Sequence, residues 1–149
     1  MASTIEVRDL RRTYGDVTAV DGISFEVAEG EIFGLVGPNG AGKTTTIECL
    51  EGLRRPTSGH VRVLGMDPAG ERREVAERIG VQLQESALPA RLHVEEALAL
   101  FGSLYRRSVR ADDLLGLLAL TEKRAAAFAK LSGGQKQRLF IALALVNRP

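Results

Sequence analysis

The residues best equipped for chemistry form one short run: Gly37, Pro38, Asn39, Gly40, Ala41, Gly42, Lys43 and Thr44. Their spacing, G-x-x-x-x-G-K-[ST], is that of a loop that surrounds phosphate with backbone N–H groups. Glycine suits positions 40 and 42 because a Cβ there would obstruct the ligand or the backbone angles the loop needs. Lys43 offers a full positive charge to phosphate oxygens, and the Thr44 hydroxyl can ligate Mg²⁺. A helix opening at Lys43 would add unpaired N–H groups and the positive end of its dipole.

Such a loop needs a strand before it and a helix behind it. The apolar run Ile32, Phe33, Gly34, Leu35 and Val36 suits a buried strand, and the helix from Lys43 finds a C-cap at Gly52. Alternation predicts further strands at 5–8, 23–27, 61–64 and 79–84, with a charged helix over 71–78. From Val94 onward, apolar residues recur at three- and four-residue spacing, as at Leu98, Phe101, Leu104 and Tyr105. Residues 139–146 are apolar on nearly every face, so that helix must be buried.

Leu131, Ser132, Gly133, Gly134 and Gln135 form a second constellation. Ser132 can cap a helix, with Gln135 closing a capping box worth about 1 kcal/mol. Stability could be its whole purpose. Two adjacent glycines weaken a first turn, however, and they make sense where bare N–H groups and a short hydroxyl must approach phosphate closely.

Together these motifs resemble the ATP-binding cassette family, the nucleotide-binding subunits of ABC transporters. Residues 37–44 resemble its Walker A loop and residues 131–135 its signature motif. Tyr14 sits where the family stacks an aromatic on adenine, and Gln84 where it has the Q-loop glutamine. The resemblance implies an α/β fold: a P-loop NTPase core, an N-terminal antiparallel β subdomain and an α-helical insertion subdomain. It divides the chain at about residue 84, with the β subdomain and P-loop core in 1–84. The Q-loop and the helical subdomain with the signature fall in 85–149.

The resemblance also implies roles. Lys43 and Gln84 would serve catalysis, and Thr44 and Gln84 would hold Mg²⁺. Tyr14 and residues 37–45 would bind ATP. Leu131, Ser132, Gly133, Gly134 and Gln135 would reach the γ-phosphate held by a second ABC subunit in a head-to-tail dimer. A transmembrane permease subunit would be the other partner, placing the protein in the cytoplasm, on the inner face of the membrane. Arg91, Leu92 and Val94 would lie near the groove for a coupling helix of that permease. Ala87, Leu88 and Pro89 suit either a docking surface or the cover of the helical segment.

Val81, Gln82, Leu83, Gln84 and Glu85 resemble the multidrug or ABC-2-type exporter cassettes; importers more often carry proline before the glutamine. A soluble ABC ATPase and a binding-only fragment are the alternatives. The family's Walker B aspartate, catalytic glutamate, D-loop and switch histidine would all follow Pro149. The chain is therefore expected to be the front part of a cassette, with background ATPase activity by itself and a tendency to aggregate.

Composition is consistent with this. The chain has 149 residues, 44% of them hydrophobic, ample for a packed core, and a formal net charge of +1. With no concentrated basic patch, nucleic acid is not expected as the principal partner. One cysteine, Cys49, excludes an internal disulfide and fits a reducing compartment. No run has the length of a membrane span or the pattern of a signal peptide. His60 and His93 stand alone and are expected at the surface.

Overall fold

A computed structural model describes residues 3–82 and 87–149. The chain divides into two compact units, Met1–Ala76 and Glu77–Pro149.

The first unit is built on an antiparallel sheet of order β2-β1-β3, formed by β1 (Ser3–Tyr14), β2 (Val17–Ala28) and β3 (Ser58–Val63). Alternation chooses the buried face. Val7 lies opposite Phe25 on one side and Val61 on the other, and Val7, Val61 and Val63 are all buried. The outer face carries charge, with Glu6 opposite both Glu26 and Arg62 and an Arg8–Glu26 ion pair. The β1–β2 turn contains Gly15 in the left-handed region. Helix α1 (Lys43–Leu50) buries Thr46, Cys49 and Leu50. It stops at Gly52, whose φ of +72° provides the left-handed closure expected of that glycine. Helix α2 (Arg72–Ala76) is shorter than the 71–78 reading.

Two expected strands do not form. Residues 32–36 lie outside any strand, with Ile32 100% and Val36 90% exposed. Residues 79–82 likewise lie outside any strand, and 83–84 fall outside the described residues. The reason is physical: an apolar run becomes a strand only when a neighbour accepts its hydrogen bonds, and none does among the described residues. Phe33 instead stacks on Phe25, with ring centroids 5.0 Å apart.

The second unit is helical: α3 (Val94–Gly102), α4 (Ala111–Leu117) and α5 (Gly133–Ala144), with short 3₁₀ turns at Thr121–Lys123 and Phe128–Lys130. Val94, Leu98, Leu115, Leu120, Leu139 and Val146 form the centre of its core. Residues 139–146 are accordingly all buried or half-buried within this unit. Gly80 meets the end of α5 so closely that a Cβ would lie 2.2 Å from the Ala144 carbonyl oxygen. No helix among the described residues is long and apolar enough to cross a membrane.

Candidate functional site

The phosphate loop is shaped by its last glycine. Gly42 is the N-cap of α1 at φ +81°, and a Cβ there would lie 2.2 Å from the Ala19 carbonyl oxygen and 3.0 Å from Val20 Cγ2. The loop's end is thus seated directly on β2. Buried Thr46 secures it, its N–H (2.8 Å) and hydroxyl (3.0 Å) both donating to the Gly42 carbonyl. Gly40 has the same left-handed backbone, φ +82°, but open space where its Cβ would be. One glycine answers to the fold and the other to the space around the loop.

The start of α1, at the end of the same loop, offers donors. The N–H groups of Gly42, Lys43, Thr44 and Thr45 have no partner among the described residues, because Thr46 makes the first bond back to the loop. The first turn of α1 holds no acidic residue to oppose an anion. Asn39, Gly40 and Thr44 are exposed, and Thr45 is half-buried. Lys43 folds back over the loop, its Nζ donating to the carbonyls of Gly37 and Pro38 at 2.7 Å each. The ammonium therefore lies across the loop mouth, on two neutral acceptors that an anion can replace. The donor set and the free Thr44 hydroxyl fit a phosphate group with its magnesium ion.

Tyr14 ends β1 opposite Val17, in the same unit as the loop, and is 38% exposed. The Arg12 guanidinium carbon lies 4.5 Å from the centre of its ring, and that of Arg54 5.9 Å. These two cations were not foreseen in the sequence. Period-two alternation, which puts residues 12 and 14 on one face of a strand, was the available signal for Arg12. Burial pushes the Cys49 thiol pKa up, outweighing the neighbouring charges of Arg12 and Arg54, so the thiol stays protonated and unreactive.

In the second unit the capping box forms as anticipated. The Ser132 N–H donates to Gln135 Oε1 at 2.9 Å, and the Gln135 N–H to Ser132 Oγ at 3.3 Å. Leu131 is buried and anchors the motif, while Ser132, Gly133 and Gly134 are exposed. A Cβ at Gly133 or Gly134 would meet nothing within 4 Å. Packing therefore gives no reason for either glycine.

Gln84 lies outside the described residues. Leu88 and Leu92 pack on the helical core, Val94 is fully buried, and Ala87, Pro89 and Arg91 are exposed. The mixed apolar loop thus serves in part as cover for the helices. His93 caps α3 with Nδ1 3.0 Å from Glu96 Oε2, and exposed His60 lies on β3 opposite Arg8. No cluster of three or more metal-binding side chains occurs among the described residues. A cavity of about 620 Å³ opens on the outer sheet face, lined by Arg8, His60, Arg62 and others. It includes no residue of the phosphate loop.

Comparison with known proteins identifies relatives along most of the chain. A family model described as "ABC transporter" matches residues 20–149. The Nod factor export ATP-binding protein I of Paraburkholderia xenovorans (strain LB400) is 43% identical, over 99% of this chain and 50% of that protein. The methionine import ATP-binding protein MetN of Mesorhizobium japonicum is 44% identical, over 97% of this chain and 42% of that one. The chain thus spans about half the length of these curated relatives. A solved ATP-binding subunit of an ABC transporter superposes with a TM-score of 0.86 at 30% identity, covering 99% of this chain and 63% of its own. The cbiO1 protein of Clostridium perfringens, part of the ABC transporter complex cbiONQ, gives a TM-score of 0.84 at 25% identity, covering 100% and 63%.

Proposed function

This chain belongs to the ABC transporter family, and from that premise we propose that it is the ATP-binding part of an ATPase that drives membrane transport. The observation that carries this reading is the phosphate loop: unpaired N–H groups at the start of α1 beside a lysine ammonium held only by neutral carbonyls. Triphosphate would enter with its β- and γ-phosphates against Lys43, which exchanges the Gly37 and Pro38 carbonyls for phosphate oxygens. Within the 37–45 loop, the unpaired N–H groups of Gly42, Lys43, Thr44 and Thr45 would fix the phosphates' orientation. Thr44 and Gln84 would hold Mg²⁺, which when bound supplies further neutralisation of phosphate charge. Tyr14 would carry the adenine on its ring.

Ser132 and Gly134, with Leu131, Gly133 and Gln135 shaping their turn, would contact a γ-phosphate held by a second cassette. The open space beside both glycines supports that role. Such a dimer is two-fold and head to tail, each site shared. A permease subunit would transmit the closure across the membrane from its cytoplasmic face. Relatives named for import and for export match at similar identity. Export is favoured by Leu83 before Gln84, where importers more often have proline.

Nucleotide binding to the full-length protein and its Lys43→Met variant tests the reading. Losing a charge-assisted contact of about 1.5–3 kcal/mol weakens ATP binding about ten- to a hundred-fold. Unchanged affinity with the fold intact would refute it.

A further inference from the structure

We propose that Arg12 is a positioning residue for the nucleotide base, acting through Tyr14; this rests on the reading of Tyr14 as the adenine-stacking residue. The side chain is half-buried, and its guanidinium carbon lies 4.5 Å from the Tyr14 ring centre, inside the range where a planar cation holds an aromatic face. One end is fixed, Nη1 donating to the Arg55 carbonyl at 3.0 Å. Its Nε is buried with no hydrogen-bond partner among the described residues. An unsatisfied buried donor on a charged group is unfavourable and needs an offsetting gain. No ion pair to Arg12 occurs among the described residues, so the gains on view are the Arg55 carbonyl and the contact with the ring.

Position ties that contact to the phosphate loop. Arg12 is the cross-strand partner of Val20. Val20 is also the side chain that a Cβ at Gly42 would press to 3.0 Å. The strand pair that seats the loop therefore also sets the arginine that holds the ring. Arg54, at 5.9 Å, stands at the outer limit of the same interaction and can only assist. Tyr14 lies next to a two-residue turn containing left-handed Gly15, and the residue is more than a third exposed. A ring this exposed owes more of its orientation to each contact it does make. With Arg12 on one face, the other is presented to the base in a set orientation, and less ordering is left for the ligand to impose.

This role separates from a purely structural one because it concerns only the base. Inorganic tripolyphosphate offers the loop its phosphates and gives Tyr14 nothing to stack on. Binding of ATP and of tripolyphosphate to the full-length protein is measured for wild type, Arg12→Met, Arg12→Lys and Tyr14→Ala. Arg12→Met is expected to weaken ATP about two- to five-fold and leave tripolyphosphate unchanged. Arg12→Lys, which keeps the cation but not the planar fork, should recover part of the loss. Equal weakening of both ligands would show that Arg12 merely supports the fold, and no weakening of either would show that it does nothing for the site; each overturns the proposal. If Arg12→Met does not fold, the ATP-to-tripolyphosphate ratio of Arg12→Lys decides: an unchanged ratio overturns the proposal. Tyr14→Ala distinguishes the two levels. Loss of ATP affinity there without loss in the arginine variants defeats only the role of Arg12. Unchanged ATP affinity in Tyr14→Ala defeats the stacking reading itself.

Discussion

Gly42 and Gly40 have nearly the same left-handed backbone, at φ +81° and +82°, yet alanine should affect them differently. At position 40 the new methyl meets nothing, so the cost is conformational: about 1–2 kcal/mol for an L-residue held in that region. Position 42 carries the same penalty plus a contact at 2.2 Å with the Ala19 carbonyl oxygen, an atom of β2 backbone that cannot rotate away. Overpacking of this kind costs about 1–3 kcal/mol, so Gly42→Ala should lose about 2–5 kcal/mol in all. Urea-induced unfolding of the full-length protein, read with equal slopes for both variants, gives the difference directly. Nucleotide titration gives the complementary ordering. Gly40→Ala should remain folded and lose affinity, because its methyl would stand on the exposed side of the loop proposed to hold phosphate. If Gly40→Ala proves as destabilising as Gly42→Ala, the assignment of one glycine to the fold and the other to the ligand is wrong.

Replacing Gly134 by alanine should stabilise the helical unit by about 0.5–1 kcal/mol while impairing ATP turnover, since the residue has open space beside it; unimpaired turnover would return the motif to a plain cap. Ser132→Ala removes the hydroxyl that accepts the Gln135 N–H, and should cost about 0.5–2 kcal/mol in thermal or urea unfolding. Burial, reinforced by Glu48, raises the Glu51 pKa above its unfolded value. The folded state therefore binds that proton more tightly, and its destabilisation is absent below the unfolded pKa and complete once pH exceeds the folded one. Glu51→Gln should accordingly raise the melting temperature at neutral pH, with the gain fading in acid; a gain independent of pH would contradict this.

Much of the fold can be read from residue types because it is decided locally. The alternation around Val7, the left-handed closure at Gly52 and the box between Ser132 and Gln135 each involve residues a few positions apart or one strand away. Residues 32–36 and 79–82 show where such reading stops. Their apolar character promises a strand, but strand formation depends on a distant neighbour that no local pattern can supply. The run 139–146 had the opposite outcome: its all-round apolarity demanded burial, and Leu98, Leu115 and Leu120 contribute to the core that provides it. At the site, glycine spacing revealed the loop but not that Lys43 spans it. Arg12 and Tyr14 lie beyond the strand expected at 5–8, so the face that alternation makes them share is legible only once β1 is seen to run on to Tyr14.

The two carbonyls that hold Lys43 have a consequence for selectivity. A competing anion gains no bare cation; it must supply oxygens able to displace two well-placed acceptors at once. A monovalent ion such as chloride is a poor substitute, whereas a polyanion with several oxygens at fixed spacing can make the trade. Discrimination against the abundant small anions of a cell would thus begin with the lysine's resting contacts, before any base or metal is engaged.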